Sequence, residues 1–243
     1  SAVYIFNDIR DVEKDRQHPV KKNRPIASGA VSVPSARIIA IVLFAAALAI
    51  NAFASRGTLL PWVLLILYAL LNVGYSMGLK TIPLVDITIL MSGFLLRLLY
   101  GSALADIKIS EWLYLTVVSM SFFMGLGKRR NELTAQQSGE MQGETRAVLS
   151  KYTASFLDKS MYMCMLLAVV FYSLWCVDAS TTGMISGNYL LWTVPLVLLI
   201  CMKYSMTIEG KSDGDPVEVL FGDKWLMLMA GLLGCAILAI LYL

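Results

Sequence analysis

The strongest constraint on the fold of this chain is a series of apolar segments, each long enough to cross a lipid bilayer. A membrane-spanning helix needs about 20 mostly apolar residues. The tail of a further apolar helix occupies residues 1–8, so we expect an N-terminal piece to precede this sequence. The seven complete segments occupy about residues 37–55, 58–79, 82–104, 111–127, 156–177, 185–206 and 223–243.

These segments are predicted to be helices because they lack the alternation of apolar and polar residues that is typical of strands. Within a bilayer, only helices and closed barrels satisfy every backbone hydrogen bond. Of the 243 residues, 58% are hydrophobic and 15% are charged, whereas soluble domains are about 25% charged. We therefore predict an all-α, multi-pass transmembrane helix bundle that forms a single domain over residues 1–243.

The charge and the cysteines exclude several other classes of protein. The net charge is only +3, and the basic residues are dispersed, so the sequence predicts no nucleic-acid surface. The cysteines lie inside apolar segments without CxxC spacing, which favours small buried hydrophobic residues over a metal site or a disulfide framework. They are Cys164, Cys176, Cys201 and Cys235.

Basic residues concentrate in alternate loops and so predict the orientation of the chain. Most of them lie in two long polar segments, at about residues 9–32 and 128–153, while the loops on the opposite side carry few. Loops rich in lysine and arginine face the cytoplasm in most membrane proteins. We therefore expect a multi-pass protein of the cell membrane whose functional loops are cytoplasmic.

A cluster of oxygen-bearing side chains opens the first polar segment. On a helix with 100° per residue, Asn7, Asp8, Asp11 and Asp15 share one face. Three carboxylates at this spacing repel one another unless a cation joins them, and Mg²⁺ prefers such oxygen ligands and often shares them with substrate phosphates. The spacing favours a Mg²⁺ site at these four residues. The alternative is a solvated, charge-balanced helix at the membrane surface.

A basic segment rich in turn residues lies directly beside this acidic face. Arg10 flanks the carboxylates, and Lys22 and Arg24 follow within residues 16–29. Mg²⁺ next to lysine and arginine is typical of a pyrophosphate site, because a guanidinium group binds phosphate oxygens in pairs. The alternative is anchoring to lipid head groups. His18, which precedes a proline, is interpreted as a turn residue.

Together these motifs resemble the UbiA-type superfamily of intramembrane prenyltransferases. The pattern Asn-Asp-x-x-Asp-x-x-x-Asp over residues 7–15 is followed by Lys-x-x-Arg-Pro-x-x-x-Gly over residues 21–29. More narrowly, the chain is similar to the decaprenyl-phosphate phosphoribosyltransferase branch, as residues 75–80, 127–133 and 216–223 also agree. The resemblance covers nearly the whole chain and implies that the family's first helix and part of its second would precede residue 1.

The segment that begins at Gly127 distinguishes this branch, because other members of the superfamily carry a second aspartate-rich motif there. It reads Gly-Lys-Arg-Arg-Asn-Glu. The resemblance implies that Lys128 and Arg129 replace a second metal ion and bind a substrate with separate phosphate groups. Glu132 lies one helical turn after Lys128, which predicts that the two side chains brace each other. The alternative is a solvated basic helix end.

Further polar residues are predicted to line the same cavity. Tyr75 and Lys80 end one apolar segment, and Asp86 lies one turn into the next. A charge at the centre of a membrane helix costs about 2.5–3.5 kcal/mol on insertion scales, so such residues usually have a function. Arg97, deeper in that segment, is either functional or the structural partner of a carboxylate. Arg146 matches a position where relatives carry arginine, and its spacing assigns it no role.

The resemblance implies a Mg²⁺-dependent transferase that moves 5-phosphoribose from 5-phosphoribosyl diphosphate (PRPP) to a polyprenyl phosphate and releases diphosphate. Its partners would be this phosphosugar donor, the polyprenyl phosphate and the bilayer, with homo-oligomerisation left open. One alternative is an ordinary prenyltransferase acting on an aromatic or other acceptor, which the missing aspartate motif disfavours. A second is a non-catalytic transporter or lipid-binding bundle, which the clustered carboxylates disfavour.

Overall fold

The computed structural model of the chain describes residues 2–17, 21–138, 148–178, 189–209 and 215–242. In these ranges the chain forms α-helices and short 3-10 turns and no β-strand, which confirms the predicted all-α class. The chain divides into two compact units. The first contains Ser1–Lys108 and Gln136–Lys151, and the second contains Ile109–Ala135 and Tyr152–Leu243.

In the first unit, α1 packs against α3 and α4, and α4 packs against α5. Ser32 caps the start of α3 by accepting a hydrogen bond from the Ser35 backbone N–H. Gly78 follows the end of α4 with φ +139°, a conformation that side-chain-bearing residues avoid, and turns the chain sharply there. The helices are α1 (Ala2–Arg10), α2 (Val12–Gln17), α3 (Val33–Ala54), α4 (Leu60–Met77) and α5 (Val85–Ala105).

In the second unit, α8 packs against α7 and α10 around a core that includes Tyr172, Cys176 and Cys201. All four cysteines are free; Cys176 and Cys201 are buried, Cys164 is half-buried, and Cys235 is exposed on an apolar helix. The helices are α6 (Glu111–Gln137), α7 (Ala154–Val177), α8 (Val194–Glu209), α9 (Pro216–Gly222) and α10 (Lys224–Tyr242), with a 3-10 turn over Tyr189–Thr193 before α8.

Six helical segments of the described chain are long and apolar enough to cross a membrane. Large apolar side chains cover their outer surfaces; Phe53, for example, is 90% exposed. Such surfaces are stable in lipid rather than in water, and the chain is a multi-pass membrane protein. The six segments are Val33–Ala54, Leu60–Met77, Val85–Ala105, Ala154–Val177, Tyr189–Glu209 and Lys224–Leu241.

The remaining predicted segment, residues 111–127, forms the first part of α6 and is not among these six. This helix buries ten residues, and several of them are polar or small, including Ser119, Ser121 and Gly125. Its second half carries the basic motif that begins at Gly127. The helix is therefore an enclosed element that brings charged groups into the interior rather than a uniformly apolar span.

Candidate active site

The acidic side chains lie around the junction between α1 and α2. The Asp11 backbone N–H donates to the Asn7 carbonyl at 2.9 Å, and the Asp15 N–H donates to the Asp11 carbonyl at 2.8 Å. Helical hydrogen bonding therefore continues across the junction, and Asn7, Asp11 and Asp15 follow one another at successive turns. Asp8 lies in the last turn of α1. The junction thus carries three carboxylates and one amide oxygen within about two turns of helix.

Arg24 joins two of these carboxylates. Its Nη1 atom donates to Asp8 Oδ1 at 2.7 Å and to Asp15 Oδ2 at 2.9 Å, and the side chain of Asp15 is only 7% exposed. The turn that carries Arg24 is closed by a bond from the Ser28 N–H to the Arg24 carbonyl, and Arg16 Nε donates to the Ala27 carbonyl. The basic segment is thus held against the acidic helix by both side-chain and backbone contacts.

Lys80 neutralises the third carboxylate. Its Nζ atom donates to both oxygens of Asp11, at 2.9 and 2.7 Å. Lys80 lies in the 3-10 turn Leu79–Thr81, directly after Gly78, so the sharp turn after α4 positions the ammonium group. From the last turns of α4, the Ser76 hydroxyl donates to Asn7 Oδ1 at 3.0 Å. The structure therefore brings Lys80, predicted from sequence as a cavity residue, onto the acidic face.

The donor set of this junction suits a hard divalent cation. Oxygens of Asp8 and Asp15 already lie within hydrogen-bond distance of one nitrogen, Arg24 Nη1, so these two carboxylates can share a single positive charge. Oxygen ligands of this type are those that Mg²⁺ prefers. No group of three or more histidine, cysteine or acidic residues is arranged to hold a metal within the described ranges. Binding Mg²⁺ would therefore require Arg24 and Lys80 to release the carboxylates.

The other residues predicted for the first unit differ in their exposure to solvent or lipid. Arg10 and Lys22 are exposed, and Tyr75 is half-buried near the end of α4. Asp86 is fully buried in the first turn of α5. Arg146 and His18 lie outside the described residues.

Within the described residues, each basic side chain of the motif in the second unit pairs with an acidic residue. Lys128 Nζ donates to Asp215 Oδ2 at 2.7 Å, and Arg129 Nη1 donates to Glu132 Oε2 at 2.7 Å. Arg130 Nε donates to an oxygen of Asp158 at 3.0 Å. The predicted bracing of Lys128 by Glu132 is wrong: the acid pairs with buried Arg129, and the lysine reaches the start of α9 instead.

Close packing explains the glycine of this motif. A Cβ atom at Gly127 would lie 2.8 Å from Ile208 Cδ1 and 3.4 Å from the sulfur of Met161. One turn earlier on α6, the ring of Phe123 packs against Tyr204 with centroids 5.3 Å apart. The small residue therefore lets α6 approach α7 and α8 immediately before the charged side chains.

The family model that describes the UbiA prenyltransferase family matches residues 1–230. This chain belongs to the UbiA prenyltransferase family. A decaprenyl-phosphate phosphoribosyltransferase of Corynebacterium glutamicum is 35% identical over 231 residues, which cover 95% of this chain and 68% of that protein. The protein with the same description in Mycolicibacterium smegmatis is 32% identical over 249 residues, covering 98% of this chain and 76% of its own length.

Solved structures agree on the fold. A UbiA homologue from Archaeoglobus fulgidus, described as bound to GPP and Mg²⁺, matches with a TM-score of 0.70 at 16% sequence identity. The match covers 100% of this chain and 83% of that one. Its description shows that a member of this fold is found with Mg²⁺. Family membership and the descriptions of the relatives identify the present chain as a UbiA-family transferase.

Sequence reasoning missed the acidic partners in the second unit of this UbiA-family chain. Asp215 caps α9, since its Oδ1 accepts from the Val217 N–H at 3.0 Å. Burial raises the pKa of Asp215, whereas the hydrogen bond and the charge of Lys128 lower it. The second effect is larger, so the pKa of Asp215 lies below its usual value. The signal was available locally, because an aspartate directly before proline is typical of a helix start.

A second acid to which the sequence assigned no role is Asp223, which directly precedes α10. It accepts hydrogen bonds from Lys203 Nζ at 2.8 Å and from the Thr207 hydroxyl at 2.9 Å, and it caps the backbone N–H groups of Trp225 and Leu226. The hydrogen bond from Lys203 is the main reason that the pKa of Asp223 is lowered to about 2. This residue connects the end of α8 to the start of α10.

Proposed function

We propose that this transferase moves a 5-phosphoribosyl group from PRPP to a polyprenyl phosphate and releases diphosphate. The observation that carries the proposal is the charge of α6, which has Lys128 and Arg129 where an ordinary prenyltransferase would need aspartates for a second metal ion. The two relatives described as decaprenyl-phosphate phosphoribosyltransferases support it, since they are 35% and 32% identical over at least 95% of this chain.

In this proposal the acidic junction binds the diphosphate end of the donor. Asp8, Asp11 and Asp15 would hold Mg²⁺, with the amide oxygen of Asn7 beside them. When bound, the metal supplies positive charge that stabilises the departing diphosphate. Arg24 and Lys80, which now neutralise the carboxylates, are close enough to transfer their hydrogen bonds to phosphate oxygens. A guanidinium group suits this exchange because it can bind two phosphate oxygens at once.

The basic residues of the second unit are proposed to bind the remaining phosphate of the donor. Lys128 is half-exposed and can donate to a phosphate, whereas Arg129 is 1% exposed and is fixed by Glu132. Fixed positive charge of this kind stabilises anionic substrates without reorganisation during the reaction. Arg10, Lys22, Tyr75, Asp86 and Arg146 stay proposals as further substrate contacts, as does the cytoplasmic placement of the loops.

The chemistry is a substitution at C1 of the ribose. The bond from C1 to the diphosphate oxygen breaks, and a bond from C1 to an oxygen of the lipid phosphate forms. Positive charge develops on the ring during the step, as in other glycosyl transfers. A phosphate monoester is an anion near neutral pH, so the acceptor needs no strong general base. The diphosphate leaves with both bonding electrons and is neutralised by the cations around the acidic junction.

Reconstituted protein tests this assignment directly. Labelled PRPP, a polyprenyl phosphate and Mg²⁺ are expected to give a labelled lipid and free diphosphate, and chelation of the metal is expected to stop the reaction. Parallel reactions should offer geranyl or farnesyl diphosphate with an aromatic acceptor. Robust prenyl transfer without any phosphoribosyl lipid would overturn the assignment and favour an ordinary prenyltransferase. Failure of both reactions, with the lipid still bound, would favour a lipid-binding bundle.

A further inference from the structure

A charged residue of the first unit lies within a membrane-length helix and away from the acidic junction. Arg97 belongs to the helix Val85–Ala105, and its side chain is exposed. Its Nη2 atom donates to the hydroxyl of Tyr68 at 3.0 Å and to that of Tyr4 at 3.2 Å. Its guanidinium also lies over the ring of Tyr68, 5.6 Å from the centroid. Arginine at this depth is costly in lipid and usually marks a functional position.

The partners of Arg97 leave its charge uncompensated. The carboxylate partner that the sequence suggested as one option is wrong for the described part of the chain, where no carboxylate lies within ion-pair distance of Arg97. Phenol oxygens accept its hydrogen bonds but carry no negative charge. Nε and Nη1 of Arg97 form no hydrogen bond with a described residue, and both phenol hydrogens of Tyr4 and Tyr68 can still be donated. The group thus offers several donors and a positive charge, but no negatively charged acceptor.

A cavity of about 240 Å³ adjoins these donors. Its volume far exceeds the roughly 30 Å³ that one water molecule occupies in the liquid. Its lining combines one arginine and three tyrosines with three leucines. The lining consists of Tyr4, Leu64, Leu65, Tyr68, Leu96, Arg97 and Tyr100.

The position of this cavity connects it to the acidic junction. Tyr4 and Asp8 are separated by four residues on α1, so they lie on the same helix face about 6 Å apart along its axis. The hydroxyl of Tyr100, another lining residue, is fixed by a hydrogen bond to Asn51 Oδ1 at 2.8 Å. The cavity therefore adjoins α1 one helical turn before Asp8 of the proposed diphosphate site.

We propose that Arg97, Tyr4 and Tyr68 bind the phosphate group of a lipid within the bilayer. A phosphate monoester matches the group because it is rich in acceptors, carries the missing negative charge and can be held by a guanidinium fork. The apolar leucines suit the first carbons of the lipid chain. The identification of that lipid as the polyprenyl phosphate acceptor rests on the proposed function, and its phosphate would then wait one turn from the donor.

Lipid binding to the full 243-residue chain tests the site without requiring turnover. The protein is placed in phosphatidylcholine nanodiscs, and the bound fraction of added lipid is measured by native mass spectrometry. The probes are a polyprenyl phosphate, the matching polyprenol, phosphatidic acid and inorganic phosphate. Arg97→Gln is compared with Arg37→Gln, a matched change of an exposed arginine at the start of α3.

Arg97→Gln is expected to weaken binding of the polyprenyl phosphate by about 10- to 100-fold, the range for loss of charge-assisted hydrogen bonds. Binding of the polyprenol should not change, and Arg37→Gln should match the wild type. Arg97→Lys should recover only part of the affinity, because an ammonium group lacks the fork. An equal loss for phosphatidic acid would identify a general lipid-phosphate site, whereas a loss confined to the polyprenyl phosphate would identify the acceptor.

A second variant keeps the test decisive if Arg97→Gln does not fold. Tyr4→Phe combined with Tyr68→Phe retains both rings but removes both hydroxyls, and it should also weaken the polyprenyl phosphate selectively. Unchanged lipid-phosphate affinity in the folded variants would overturn this inference even if phosphoribosyl transfer is observed. Conversely, binding that depends on Arg97 without any phosphoribosyl transfer would support the lipid-phosphate site and contradict the proposed function.

Discussion

Lys80 donates two hydrogen bonds to the carboxylate of Asp11, at 2.7 and 2.9 Å, across 69 positions of sequence. The contact joins the turn after α4 to the junction of α1 and α2. It neutralises both side chains, although the proposed chemistry needs Asp11 to bind Mg²⁺ and Lys80 to bind phosphate. Both side chains are about one-quarter exposed or less. Lys80 therefore competes with any cation that Asp11 is to bind, and substrate phosphate is the natural alternative acceptor for its ammonium group.

This competition predicts opposite effects of one substitution. Lys80→Gln should strengthen Mg²⁺ binding in the absence of substrate by about fivefold, because a partly exposed ion pair is worth about 1 kcal/mol. It should at the same time slow phosphoribosyl transfer, since a phosphate contact is lost. Metal titration by calorimetry and an activity assay measure the two effects, with Lys108→Gln as a control at an exposed loop. Weaker Mg²⁺ binding in Lys80→Gln would contradict the competition.

Loss of a single carboxylate from the junction should stop turnover without unfolding the protein. Asp11→Asn or Asp15→Asn is expected to lower kcat/KM by about 100-fold or more, the cost of removing one group that stabilises developing charge. Glu13→Gln is the matched control, because Glu13 is exposed and pairs with neighbouring Arg16 on the same helix. Circular dichroism reports the fold. Wild-type rates in both aspartate variants would remove the metal site from the mechanism.

Lys128 is predicted to act on the donor rather than on the metal. Lys128→Ala should raise the KM for PRPP by about 10- to 100-fold, the range for a lost charge-assisted contact, while Mg²⁺ affinity stays the same. Lys159→Ala, at an exposed position of α7, provides the control. PRPP saturation curves and metal titrations separate the two effects. If the saturation curve of Lys128→Ala overlays that of the wild type, the lysine only holds the start of α9 through Asp215.

Arg129 and Glu132 should behave as a buried structural pair as well as a source of charge. Arg129→Ala removes the partner that pairs with Glu132, and it should destabilise the protein by about 3–5 kcal/mol. Arg130→Ala breaks a more exposed pair and should cost at most about 1 kcal/mol. Replacing Arg129 and Glu132 together by Met and Leu should restore stability but not activity. Thermal unfolding in detergent measures these differences, and equal stability of Arg129→Ala and Arg130→Ala would contradict them.

Asp223 predicts a loss of stability in acid. Its folded-state pKa, about 2, lies below the ordinary value of 3.8, so its contacts contribute stability above about pH 4 that disappears as pH falls towards 2. Asp223→Asn retains a capping side chain but removes the charge that Lys203 binds. The Tm of the variant should therefore fall less than that of the wild type as the pH is lowered from about 4 to about 2. Parallel Tm curves for the two proteins over that range would exclude this contribution.

The membrane spans and the acidic motif could be predicted because both depend on local order. Six of the seven apolar segments have membrane-length helices, since about 20 apolar residues in a row carry the signal by themselves. Asp11 and Asp15 follow Asn7 at four-residue intervals, and helical geometry alone then places them at successive turns. The exception is α6, whose sequence suggested a uniformly apolar span. In the structure this helix buries serines and glycines.

Which charges meet was decided only by the tertiary structure. The spacing predicts that Glu132 pairs with Lys128, but Glu132 accepts from Arg129, which is buried beside it on α6, while Lys128 donates to Asp215 directly before α9. The sequence offers a carboxylate as one possible partner of Arg97, but Arg97 donates to two phenol hydroxyls, one on α1 and one on α4. The sequence by itself determined a helical membrane protein with an acidic junction, since periodicity and hydropathy are local properties, and its motifs carried the resemblance to the UbiA family. Partners tens of residues apart become neighbours only when helices pack.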